Sequence, residues 1–369
     1  MNDKRRQFLQ GGTALLGSAV LPVRGEVVPG RGFAPINIQP LVDAAILAVE
    51  QARVSAGQYS RFLGKQQRSR VDGEKPCGYG SAAAACILYT VSRFPRHTPE
   101  RYAFVSFLRA GQSERSGMFS DQYHNPTHAT AYILAALDLF DAGPVHPLHE
   151  LQPLTAPGGI EGLLAGLDWR KPWGASHYGA GAFAALFLAG QAPLPFQNRY
   201  FGWLSDHQDV VTGLWRKGAL KSASLPDGAP LFDALAAAFH YLFNHEAARR
   251  PIPRPAALID SALRVRKENL YPTLGKTVGF AELDWLYCLT RSLRHSGHRR
   301  DDVLLELTQF ANAYVNHLLV HVQQNPAPFE DLHALNGTMS ALAELQQALP
   351  GLLSTARPLR LPLDRRPFI

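Results

Sequence analysis

The chain has 369 residues, of which 46% are hydrophobic and 18% charged, with a formal net charge of +7. This is enough apolar material for a core and too little charge for a disordered chain. Three cysteines with no Cys-x-x-Cys pair argue against a cysteine zinc site, and the lack of a dense Lys/Arg run argues against nucleic acid as a partner.

The first element is Lys4-Arg5-Arg6-Gln7-Phe8-Leu9-Gln10, followed by an apolar, Gly- and Ala-containing run from Gly11 to Val23. Basic-then-apolar order is that of an export signal, and the run is too short to span a bilayer. The paired arginines followed by Phe and Leu resemble the twin-arginine class, which implies the twin-arginine export machinery as a partner and a periplasmic or secreted protein with no stable membrane span. A cut after Ala19 or Gly25 is expected. Loss of residues 1–25 removes four basic residues and one acid, so the charge falls from +7 to +4.

Residues 26–40 read as a Pro- and Gly-containing arm. From Leu41 to Phe62, apolar residues at Leu41, Ala45, Ala48, Val49 and Ala52 keep helical spacing. Gln66–Gly73 is a polar turn before the Ala-rich run Ala82–Thr90. Thr98-Pro99-Glu100 opens another helix, with Thr98 as cap. That helix leads to Phe107-Leu108, then Gln112, then Gly117-Met118-Phe119. The same order returns at identical spacing in Trp203-Leu204, Gln208 and Gly213-Leu214-Trp215. Each copy is a helix end, a polar Gly turn and a further helix, His128–Phe140 after the first and Phe232–Phe243 after the second. Between them, Ile160–Leu167 is a short helix, Asp168–Tyr178 a turn and Gly179–Gly190 a small-residue helix.

Prolines 251, 253 and 255 interrupt the chain after the second copy. Ala256–Val265, Glu282–Leu293, Val303–Val322 and Leu332–Leu349 are the remaining helices. A Pro- and Arg-rich tail over 351–369 is expected to be loose or to lie on the surface. Cys77, Cys86 and Cys288 read as free thiols, with one disulfide as the alternative.

The expected fold class is therefore all-α, with about six helical hairpins in one domain over 41–350. Stacked hairpins with small-residue inner helices and this Gln, then Gly-hydrophobe-aromatic turn resemble the α/α-toroid superfamily of six-hairpin glycosidases, polysaccharide lyases and terpene-cyclase or prenyltransferase-like domains. The resemblance implies an active site at one end of a closed ring; an open solenoid is the rival arrangement.

Toroid sites gather residues from turns and inner-helix starts. The expected catalytic residues are His128, His177, Tyr178, His240, Tyr241 and Asp284, since imidazole, phenol and carboxyl groups are what proton transfer at a sugar carbon or glycosidic oxygen requires. Asn125, Trp173, Trp285, His333 and Asn336 are the expected substrate-binding residues, the tryptophans as stacking platforms. Cys77 with Tyr79, Tyr123, His124, Ser176, His245 and Glu282 occupy comparable positions. No cofactor and no metal site is expected; a zinc set of Asp233, Cys288 and His333 would have to be assembled from distant segments.

The resulting expectation is an exported enzyme of polysaccharide lyase or glycoside hydrolase type with an oligosaccharide or other small-molecule ligand. A terpenoid cyclase or prenyltransferase-like protein, and a toroid that binds a ligand without turning it over, are the alternatives.

Overall fold

The computed structural model describes residues 34–215, 230–365 and 368–369. The expected export signal and most of the arm over 26–40 lie outside the described residues. The chain divides at Ala34 into two units, and everything below concerns Pro35–Ile369.

The described residues form α1 (Gln39–Ala52), α2 (Gly64–Ser69), α3 (Gly78–Thr90), α4 (Thr98–Ala110), α5 (Pro126–Leu139), α6 (Gly159–Gly166) and α7 (Pro172–Leu188). They continue with α8 (Leu194–His207), α9 (Leu231–Ala247), α10 (Pro255–Lys267), α11 (Ala281–Ser296), α12 (Arg300–Gln324) and α13 (Leu332–Ala348). Strand is confined to two small pairs. β1 (Ile36–Asn37) runs parallel to β4 (Leu353–Ser354), and β2 (Arg53–Ser55) is antiparallel to β3 (Gln58–Tyr59). The protein is all-α, and no described helix is long and apolar enough to cross a membrane.

Six helices form the interior. α3 packs on α5, α5 on α7, α7 on α9, α9 on α11, α11 on α13, and α13 returns to α3. Residues around their whole circumference are buried, Tyr79–Ile87 in α3 and His128–Leu137 in α5 among them. A helix apolar all round has to be enclosed, and alanine and glycine let such helices approach closely. By contrast α1, α4, α8, α10 and α12 bury one stripe, as at Leu41, Val42, Ala45, Ala48, Val49 and Ala52 in α1.

The two sequence copies have one geometry. Gln112 donates from Nε2 to the carbonyls of Gly117 (2.8 Å) and His146 (2.8 Å), and Gln208 donates to those of Gly213 (2.8 Å) and Pro253 (3.0 Å). Each glutamine residue also bridges to the aromatic that closes its motif, Phe119 or Trp215. Gly117 and Gly213 have φ +76° and +69°, and a Cβ on Gly117 would lie 1.9 Å from the Pro147 carbonyl oxygen. The motif is thus a device for closing a turn and tying it to the following loop, and glycine is required by conformation and space together.

Several boundaries differ from those expected. The first helix stops at Ala52 rather than Phe62, because Gly57 at φ +71° turns the chain into the β2–β3 hairpin against Phe104. Gln66 lies in α2 rather than in a turn, and His97, not Thr98, precedes α4 as its cap residue, with no side-chain cap bond. Helix α7 starts at Pro172, so Ser176, His177 and Tyr178 sit on a helix rather than in a turn. No disulfide joins Cys77, Cys86 and Cys288 among the described residues.

The tail is exposed or half-buried over most of 351–361, and the departure is at its end. Phe368 and Ile369 are 0% and 2% exposed, and β4 pairs with the arm. Arg365 pairs with Asp138 and Asp141, and Asp364 with Arg291. Burying an aromatic side chain such as Phe368 contributes about 1.5–3 kcal/mol, more than freedom of an exposed terminus would return.

Candidate functional site

Five histidines gather among the interior helices. Asn125 ends the preceding loop as N-cap of α5, its Oδ1 accepting from the His128 amide at 2.9 Å, and so places His128 in the first turn. His177 lies in the N-terminal half of α7 and His240 midway along α9. One nitrogen from each of His128, His177 and His240 lies within 4.8 Å of the other two. His124 stacks on His128 at 5.0 Å, and His333, in the first turn of α13, meets His124 edge-on at 5.1 Å.

Tyr79, in the first turn of α3, organises one side of the cluster. Its ring stacks on His124 (4.3 Å) and Tyr132 (4.5 Å), and its hydroxyl is hydrogen-bonded to His128 Nδ1. Arg61 reaches the same place from the loop before α2. Backbone bonds from Leu63 N to the Glu330 carbonyl and from Leu332 N to the Arg61 carbonyl tie that loop to the start of α13. Arg61 donates to both oxygens of Asp331 (2.9–3.2 Å), lies 3.9 Å from Asp121 and sits over the Tyr79 ring. Burial is the largest influence and opposes the charge on Arg61, but the bond to Asp331 together with the attraction of Asp331 and Asp121 outweighs it and raises its pKa.

Hydrogen bonds fix two tautomers. Asp121 Oδ1 lies 2.8 Å from His124 Nδ1, nearer than the Arg61 Nη1 donor that competes for the same nitrogen at 3.3 Å. Burial resists the charge on Asp121, yet the bond to His124 and the Tyr123 amide hold its pKa below the usual carboxylate value, so it accepts from Nδ1–H and leaves the lone pair of His124 on Nε2. Ser176 Oγ lies 2.6 Å from the Trp173 carbonyl and 3.0 Å from His240 Nδ1. A carbonyl can only accept, so the single hydroxyl proton goes to Trp173, His240 Nδ1–H donates to Ser176, and His240 too has its lone pair on Nε2.

His128, His177 and His240 are held uncharged. Burial depresses His128 well below the ordinary histidine value, with further lowering from His177, His124, His240 and His333. His177 is depressed to about 4 by burial and then His124, and His240 well below its ordinary value by burial and then His177. One charged imidazolium would oppose the next.

The other expected residues divide. His333 and Asn336 belong to the same region, Asn336 Nδ2 donating to Tyr132 Oη at 3.1 Å. Asn125 is used as a cap. Tyr178 is 45% exposed and faces away from the buried side of α7. Trp173 is half-buried against Phe232. Tyr241 packs between Trp169 and Trp215, and Trp285 is fully buried on Phe310 with its Nε1 donating to the Ala262 carbonyl, so neither presents a face to a sugar.

Asp284 is a separate feature. Both carboxyl oxygens are buried with no hydrogen-bond partner among the described residues, while neighbouring Glu282 is bound by Gly275 and Thr277. Burial, then the negative charge of Glu282, pushes the Asp284 pKa well above the usual carboxylate value, so it is held protonated.

Arg61 and Asp331 escaped sequence reasoning as site residues, and Asp121 figures there only as a possible carboxyl partner of Asp284, not as the partner of His124. The available signal was Asp121-x-x-His124 immediately before the cap of α5; Arg61 offered none, because its approach depends on a loop bonded to the start of α13.

Comparison of the chain with protein-family models, with curated proteins and with solved structures finds no match.

Proposed function

We propose that the chain is an exported α/α-toroid enzyme of about six helical hairpins that degrades a carbohydrate, with polysaccharide lyase chemistry ahead of glycoside hydrolysis. The return of α13 to α3, with one-faced helices packed outside, supports the toroid reading. The observation that carries an enzymatic reading is the convergence of His124, His128, His177 and His240 with Tyr79, groups able to transfer protons that come from four different segments.

Lyase chemistry on a uronate chain needs a base to take the proton at C5, positive charge to steady the developing carboxylate dianion, and a proton donor for the departing O4. As C5–H is broken, its electron pair forms the C4=C5 bond and the C4–O4 bond leaves with its electrons. His124 Nε2, oriented by Asp121, is a suitable base; the Tyr79–His128 pair is a suitable donor; Arg61 is the nearest fixed cation. Hydrolysis by paired carboxyls fits less well, because Asp121 and Asp331 are committed to His124 and Arg61.

The test is incubation of the mature protein with a panel of uronic-acid and neutral polysaccharides. Ultraviolet absorbance of an unsaturated uronate end, lost by 100-fold or more in His124→Ala, is the expected result, on the order of what a general base contributes. Reducing ends without unsaturation would move the reading to hydrolase, and no cleavage of any polymer would overturn it.

Asp284 favours a second reading, a terpenoid cyclase or prenyltransferase-like protein, because cyclisation started by protonation needs a carboxylic acid kept neutral in apolar surroundings. Conversion of an isoprenoid substrate, abolished in Asp284→Asn, would replace the carbohydrate reading. Tight binding of a ligand without turnover would favour the non-catalytic toroid.

A further inference from the structure

We infer that His128, His177 and His240 form a binding site for one divalent transition metal ion of the zinc class, independently of which substrate the protein acts on.

Geometry comes first. Three imidazole nitrogens, one per residue, lie within 4.8 Å of one another. A tetrahedral ion with Zn–N bonds of about 2.0–2.1 Å needs its donors roughly 3.3–3.4 Å apart, which small rotations of the rings about χ2 supply. The donors stand on α5, α7 and α9, of which α7 packs directly on both of the others. Helices hold ligand positions more precisely than loops do.

Donor chemistry selects the ion. An all-imidazole set suits zinc, copper, nickel or iron and disfavours calcium and magnesium, which take oxygen. The surrounding hydrogen bonds are those a metal-bound histidine requires, with the second ring nitrogen occupied so that the first points its lone pair inward. Ser176, locked by the Trp173 carbonyl, does this for His240. With metal on His128 Nε2, His128 Nδ1–H donates to the Tyr79 hydroxyl. His177 has no hydrogen bond among the described residues and is only half-buried, so the fourth position lies toward its exposed side, open to water or substrate.

A purely structural role accounts for these features poorly. Three neighbouring uncharged imidazoles satisfy a core only if each finds its partners; Tyr79 and Ser176 take one nitrogen of His128 and of His240, but among the described residues no bond joins the three to one another and His177 has none. Phe368, 4.9 Å from the His128 ring and 5.9 Å from that of His240, adds an apolar wall. Such a wall strengthens ligand–metal attraction by excluding water.

The experiment uses the full mature chain, stripped with a chelator and then titrated with zinc and with cobalt(II). One equivalent of each should bind, with cobalt(II) giving the intense visible absorption of a four-coordinate site. His177→Ala should weaken zinc binding by roughly 100-fold or more, and Ser176→Ala, which removes no ligand, by about 10–100-fold. His207→Ala, at an exposed position, should leave it unchanged. Circular dichroism establishes that the variants are folded; if His177→Ala is not, Ser176→Ala decides. Failure of the wild-type chain to take up either ion, a weak octahedral cobalt spectrum, or wild-type zinc affinity in a folded His177→Ala or, failing that, Ser176→Ala protein would overturn the site.

Discussion

Two buried polar clusters lie among the interior helices, and they are built on opposite principles. Around Arg291, whose side chain is wholly buried, charge is matched. Glu344 of α13 and Asp364 of the tail both accept from it, and Glu246 of α9 lies 3.4 Å away. Its pKa is raised because the attraction of Glu344 and its partners exceeds the opposing cost of burial. Around His128, His177 and His240 no charge is matched, and the bonds there are to the neutral hydroxyls of Tyr79 and Ser176. Groups of one chemical kind face each other and are held uncharged. A paired cluster explains itself as a fastener between α9, α11, α13 and the tail, whereas a set of like bases costs stability without return unless something else occupies it.

This contrast is open to direct disruption. The largest effect on stability is expected from Arg291→Ala, which strands Glu344 as a buried unpaired carboxylate. Denaturant unfolding should show a loss of about 3–5 kcal/mol, and proteolysis should begin at the released tail. A loss below about 1 kcal/mol would mean that the cluster is solvated and fastens nothing.

Next in size is the pH response of His245, a buried histidine outside both clusters that packs on Phe201 and Trp215. Burial lowers its pKa to about 3 from the ordinary 6.5. The unfolded chain therefore binds the proton first, and the stability contributed by His245 is complete above about pH 6.5 and lost as pH falls from there toward 3. The slope approaches 1.4 kcal/mol per pH unit for one such group. His245→Phe should flatten the acid limb of the stability curve by that amount; an unchanged limb would show that His245 is solvated or charged in the folded state.

The repeated turns offer a finer comparison. Gln112 makes four bonds, its Oε1 also accepting from Val145 N and His146 N, while Gln208 makes two through Nε2. Gln112→Ala should cost about 2–3 kcal/mol and Gln208→Ala about 1–2 kcal/mol, read from thermal unfolding. Equal costs would show that the extra pair of bonds is replaced by water. The smallest effect belongs to His177→Ala. The metal-free protein should change by less than about 1 kcal/mol, since a half-buried group without a hydrogen bond has little to lose. A loss as large as that of Arg291→Ala would make the histidine cluster a fastener after all.

Much of the local structure was legible in the chain. Apolar residues at helical spacing place α1, and the spacing from Gln112 to Phe119 and from Gln208 to Trp215 marks equivalent turns, because the hydrogen bonds involved are short-range and the glycine conformation tolerates few substitutes. His128, His177, His240, His333 and Asn336 were recognisable as polar residues at helix starts or in otherwise apolar helices. Their rank among the many polar residues of that kind was not, and neither was the burial of Trp285 and Tyr241, which share helices with Asp284 and His240.

The sequence by itself determined that the protein is helical, where most helices run and how its repeated turns close, since each depends on periodicity and on bonds within a few tens of residues. Tertiary structure alone decided that α13 returns to α3, that Phe368 and Ile369 at the end of the Pro- and Arg-rich tail are buried, and that three imidazoles from three helices share one small space. Those outcomes follow from the packing of whole helices on one another. A rotation of one helix about its axis would preserve every local pattern and carry His177 or His240 out of the cluster.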